Sequence, residues 1–149
     1  MIDTLGKLLV ELRDDTAVDA WCDGRVRGEE PAPATDTYDG DAHGPGDYKR
    51  FIVITTLDTP RHPRIPLQRP TYAINVFGVS PRDAMIGYGL ASDAIHRRGV
   101  RMEGTGSTRV GIYNSFDDSG GTPERDPQTG QPFVTFIVHL NATDQSVAS

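Results

Sequence analysis

Cysteine, lysine and long apolar runs are what this 149-residue chain has least of: one Cys, two Lys, and no stretch near the roughly 18 apolar residues of a membrane span. The lone Cys22 excludes an internal disulfide and fits a reducing compartment. Beside Trp21 in an apolar patch, it reads as a small buried hydrophobe rather than a reactive thiol. A basic-then-apolar leader is also missing, because Asp3, Lys7 and Glu11 already fall within the first twelve residues. The expectation is a protein with no membrane partner that stays in the compartment where it is made.

Positive charge is scarce in one region only. Residues 1–48 carry 12 acids against 4 bases, whereas the rest of the chain carries 9 against 11, for a formal net charge of −6. An acidic first third excludes the basic stripe that sequence-specific DNA binding needs.

Chemistry-bearing patterns fail one by one. Asp36, Asp39 and Asp41 around Gly40 lack the alternating oxygens and closing glutamate of a calcium loop. His43, His62, His96 and His139 are scattered, without the set spacings of a zinc site. Gly104-Thr-Gly106 lacks the third glycine of a dinucleotide loop and is read as a turn after a helix. Ser107, Ser115 and Ser119 have no nucleophile elbow. Asp117 and Asp118, adjacent on a strand, would point to opposite faces. Catalytic residues, metal ligands and cofactor sites are therefore all read as none, and the chain is not expected to be an enzyme.

Glycine and proline, by contrast, are plentiful at 16 and 11 residues, which points to a compact body with long loops. Leu5, Leu8, Leu9 and Leu12 follow the i, i+3, i+4, i+7 rule of an amphipathic helix over residues 3–13. Asp14-Asp-Thr16 can cap a short second turn holding Val18 and Trp21, with Gly24 as its left-handed stop. Residues 28–47 form an acidic Gly/Pro-rich loop longer than the usual connection. Residues 51–57 make a β-branched strand. A second strand starts between Ile65 and Thr71 and runs to Phe77, with Pro66 and Pro70 forcing an edge or a bulge.

Ser80-Pro-Arg-Asp83 then starts a helix ending at Gly99. Ser80 accepts from the Asp83 N–H, Asp83 returns a bond, and Pro81 takes the first helical position. Ala84, Tyr88, Ala91 and Ile95 share its buried face. Residues 108–116 and 133–140 supply two more strands around a hairpin loop at 117–131, and the polar tail from Asn141, above all 143–149, frays. Leu9 and Ile137 are read as core. The sum is a single α+β domain over 1–149, with one twisted, mainly antiparallel sheet of about four strands and two helices packed on it.

Several of these signatures, in this order, resemble the tail terminator (tail-completion) proteins of long-tailed bacteriophages. They are the leucine helix with Asp14-Asp-Thr-Ala-Val18, Gly24-Arg-Val26 before a Pro-rich loop, Phe51-Ile-Val-Ile54, the strand at 72–78 with Ser80-Pro-Arg-Asp-Ala84, and Asp126-Pro-Gln-Thr-Gly-Gln-Pro132. The resemblance covers nearly the whole chain, except that the acidic insertion at 36–47 is longer than the family leads one to expect. It implies a structural virion protein, assembled in the host cytoplasm, that forms a hexameric ring on the head-proximal end of the tail. Such a ring stops polymerisation of the major tail tube protein and meets the neck or head-completion proteins. No cofactor is implied, and DNA only passes through the channel. Two other readings suit the same chemistry-poor sequence: a head–tail connector or stopper of the neck, and a small cytoplasmic ligand-binding domain.

A closed ring needs two different patches on each subunit. The candidates are acidic Asp36, Asp39, Asp41 and Asp47 against basic Arg61, Arg64 and Arg69, beside His62. Reversing Arg61 and Arg64 to Glu is expected to slow ring formation at low salt, and adding Asp39→Arg and Asp41→Arg to restore it in part. Light-scattering assembly rates check this; a rate and salt dependence that do not change would exclude these loops from the interface.

Overall fold

A computed structural model describes residues 4–28, 48–58, 67–68, 70–97, 100–103, 110–117, 121–127 and 129–144. The chain opens with α1 (Thr4–Asp14) and α2 (Thr16–Cys22). As the leucine spacing requires, Leu8 and Leu12 are buried, while Leu5 and Leu9 are half-buried against the same core. The Asp15 carboxylate caps α2 by accepting from the amides of Ala17 and Val18, both at 3.1 Å. Asp23, not Gly24, is the first left-handed residue past its end (φ 54°), and Gly24 follows at φ 71°.

The strands are β1 (Val26–Arg27), β2 (Phe51–Asp58), β3 (Leu67–Gln68), β4 (Thr71–Phe77), β5 (Val100–Glu103), β6 (Val110–Asp117), β7 (Glu124–Arg125) and β8 (Pro132–Asp144), with α3 (Pro81–Arg97) after β4. They form one sheet in the order β1-β2-β4-β8-β6-β5, and β3 and β7 add short pairings to β8. Only β1–β2 is parallel. The α+β class and mainly antiparallel sheet are as the sequence implies, with more strands than four and a third helix.

The additional strands have local causes. β1 and β7 have two residues each, too few to show a period. β5 follows directly on the helical pattern, so Gly104 comes after a strand and not after a helix; the connection it opens joins two antiparallel strands. Residues 141–144 do not fray: they continue β8, paired with β6 through Asn141↔Tyr113 to Asp144↔Val110 and with β3 through Thr143↔Leu67. Only 145–149 of the expected tail lie outside the described residues. Between β3 and β4 the ladder is interrupted at Pro70, which has no N–H to give but accepts from the Leu140 amide at 3.0 Å.

The three described helices cover one face of the sheet. Ile52, Ile54, Tyr72, Ile74, Val76, Phe136, Val138 and Leu140 point there and meet Leu8, Leu12, Val18, Ala91 and Ile95. Tyr88 of α3 sits edge-on to Phe136, with centroids 5.1 Å apart. Alternation sends Phe51, Phe77 and Phe133 to the other face, where register stacks them in a row at 4.3 and 5.1 Å. Ile137 belongs to this second face and is only half-buried. Leu12→Ala is therefore expected to cost about 2–5 kcal/mol. Leu9→Ala and Ile137→Ala, at positions that read as core in the sequence but are half-buried, should cost less. Urea midpoints check this; equal losses at all three sites would contradict the burial order.

Candidate functional site

A densely bonded polar cluster lies where β4 turns into α3. Pro81 starts the helix, and the Asp83 amide donates to Ser80 Oγ at 3.1 Å, so the expected cap forms. The return bond differs from expectation. Asp83 Oδ2 accepts from the Val79 amide at 3.0 Å, one residue before the cap. The same oxygen accepts from Arg50 Nε at 2.9 Å, and Oδ1 from Trp21 Nε1 at 3.4 Å. The Arg50 guanidinium also lies 5.6 Å from the centre of the Trp21 ring, within cation–π range.

Burial alone would raise the Asp83 pKa. Hydrogen bonds from Arg50 and the Val79 amide outweigh it and hold the carboxyl below the ordinary aspartate value. A carboxylate with depressed basicity and three donors is a poor general base and a good clamp.

A second clamp lies beside it. Gln131, 1% exposed, donates through Nε2 to Lys49 O at 2.7 Å and to Gly78 O at 3.2 Å. The Gly78 amide in turn donates to Pro132 O at 3.1 Å. Gly78 has no room for a side chain, since a Cβ there would lie 2.8 Å from Ala84 Cα and 2.9 Å from the Asp83 carbonyl carbon. At Gly87, in the second turn of α3, the space of a side chain is likewise filled by the Trp21 ring and Val76. Gly87 lets α3 sit directly on α2 and β4 at some cost in helix propensity, and Gly78 lets the chain leaving β4 close on the first turn of α3.

Gln131 is presented by a tight hairpin turn. Thr129 N donates to Asp126 Oδ1 at 3.1 Å, Gly130 N to Asp126 O at 2.8 Å, and Gln131 N to Thr129 Oγ1 at 3.2 Å. Tyr48 Oη donates to Thr129 O at 2.8 Å, tying the turn to the chain entering β2. On the opposite flank, Arg25 Nε donates to Arg50 O at 2.8 Å, and Arg13 donates twice to Val26 O.

The interface candidates read from sequence, Asp36, Asp39, Asp41, Asp47, Arg61, Arg64 and Arg69, all lie outside the described residues, as do His43, His62, Ser107, Ser119 and Asp118. His139 is exposed on β8. Cys22 is buried and donates to Val18 O at 3.2 Å, and burial pushes its thiol pKa up. Among the described residues, no group of three or more His, Cys, Asp or Glu could hold a metal. Nor is any helix there long and apolar enough to cross a membrane.

Sequence reading found the cap but missed Arg50, Trp21 and Gln131, whose partners are far along the chain. One signal was present: Gly78 directly before a capped helix marks a close backbone approach. No known family's sequence profile matches the chain, and no curated protein matches it either.

Asp83→Asn is expected to lower stability at pH 7 by about 1–3 kcal/mol, because it removes a charge-assisted bond from a buried acceptor. The folded-state pKa is depressed, so this contribution is present above the ordinary aspartate value of 3.8 and lost as pH falls through the folded value. Denaturation curves of the two proteins should converge in acid. A constant gap from pH 7 to pH 2 would contradict the ion pair.

Proposed function

We propose that this chain is a structural, ring-forming subunit of the tail terminator kind, closing the head-proximal end of a phage tail tube. One observation carries the reading. Segments of the resemblance that are far apart in sequence, Gly24-Arg-Val26, Ser80-Pro-Arg-Asp-Ala84 and Asp126-Pro-Gln-Thr-Gly-Gln-Pro132, meet at one junction. They are joined there through Arg25, Arg50, Asp83, Gly78 and Gln131. An ordered set of weak motifs that converges on one built junction supports the resemblance better than the motifs do singly.

The junction's chemistry agrees with an assembly role. Its carboxylate holds three donors and its glutamine amide bridges two backbone carbonyls, so the cluster fixes loops rather than reacting. Among the described residues the sheet's second face carries no helix but a row of stacked phenylalanines, two of them half-buried, a surface unlike the helical side. A cyclic ring requires such unlike surfaces on each subunit. In this reading the partners are further copies of the chain, in the hexamer that the resemblance implies, then the tube protein and the neck proteins. No cofactor takes part, and DNA crosses the channel without being read.

The test is assembly on tubes. Purified chain added to growing tail tubes should stop elongation and leave a ring density at one end in negative-stain images. Tubes that lengthen at the same rate, with the chain recovered only as free monomer, would contradict the proposal.

A further inference from the structure

The outward side of α3 carries a pattern that its own helix does not explain. Residues Arg82, Ile86, Gly89 and Asp93, spaced i, i+4, i+7, i+11, fall on one line opposite the face buried by Ala84, Ala91 and Ile95. Arg82 and Asp93 are exposed, Ile86 is 49% exposed, and Met85 beside it is 37% exposed. A Cβ at Gly89 would meet nothing within 4 Å.

Two of these choices disfavour the isolated helix. Arg82 places positive charge in the first turn, against the macrodipole. Gly89 sits in a helix interior with no neighbour that excludes a side chain, unlike Gly87. Local rules broken together on one exposed line point to a requirement outside the subunit.

We propose that this line pairs two copies of the chain, helix α3 against helix α3, antiparallel about a two-fold axis. An axis level with the midpoint of residues 87 and 88 sets Arg82 opposite Asp93 of the second copy, and Ile86 opposite Gly89, each pair occurring twice. The branched Ile86 side chain fills the notch that Gly89 leaves, and the two helix dipoles lie side by side and antiparallel. Each charge then lies near the pole of the other helix as well as near its opposite. Asp93 also interacts within its own chain, and its exposed carboxylate serves both contacts. This contact is isologous, separate from the heterologous contact of a ring, and does not rest on the ring reading.

One helix face per copy is a small interface, so the association is weak, with half-saturation on the order of 100 µM. Sedimentation equilibrium at 0.15 M salt, where the repulsion of two −6 chains is screened, should show mass rising from 16.2 kDa toward twice that value with concentration. If rings form, the same contact doubles a ring. Gly89→Leu should abolish the doubling while ring closure survives. Arg82→Glu should weaken it about tenfold, and Arg82→Glu with Asp93→Arg should restore it to within about threefold.

These substitutions favour the helix dipole or the helix propensity, so folding is not the casualty; thermal midpoints unchanged or raised check this. A mass that never doubles overturns the proposal. So does doubling that Gly89→Leu leaves intact, or a loss that the double reversal does not recover.

Discussion

The Asp83 carboxylate takes donors from a backbone amide at the end of β4, an arginine entering β2 and a tryptophan on α2, and its own amide closes the cap of α3. Four elements therefore converge on one side chain that is 10% exposed. A buried charge is tolerable only when it is paired and hydrogen-bonded, so each of these elements has to be in position for the carboxylate to be stable. Gln131 imposes the same demand from the other side of Gly78, and brings in the hairpin between β7 and β8. Moving any one segment leaves a buried donor or acceptor without its bond.

That constraint sets how the rest of the domain is arranged. With β2, β4 and β8 fixed in register at the junction end, their alternating residues divide into a face for the helices and a face for the phenylalanine row. With the start of α3 fixed, Gly87 brings the helix against Trp21, and the opposite side of the same helix is left to solvent. Surfaces of three kinds result: a helical face with a charged and notched seam, a sheet face with stacked rings, and the junction end.

How legible this was in the sequence depended on distance along the chain. The leucine stripe, the Asp15 cap, the Ser80 cap and the buried face of α3 are decided within one or two helical turns, and the residues alone imply them. Partners of Asp83 at Arg50 and Trp21 stand 33 and 62 residues away, and no local pattern points to them. Strands β1, β5 and β7 are short pairings stabilised by longer neighbours, which is a tertiary effect. The end of β8 looked like a tail because Asn141, Thr143 and Asp144 are polar, yet both of its flanks are paired. Leu9 reads as core from the leucine stripe and Ile137 from a strand apolar on both faces, and neither pattern says how deeply a residue is covered.

The central claim is that the Asp83 and Gln131 clamps act as one unit across Gly78, and a double-mutant cycle measures that directly. Asp83→Asn and Gln131→Leu, alone and together, should give stabilities whose coupling is at least about 0.5 kcal/mol, since the two sites share the same backbone turn. Losses that add within about 0.3 kcal/mol would mean two independent bonds that happen to lie near each other.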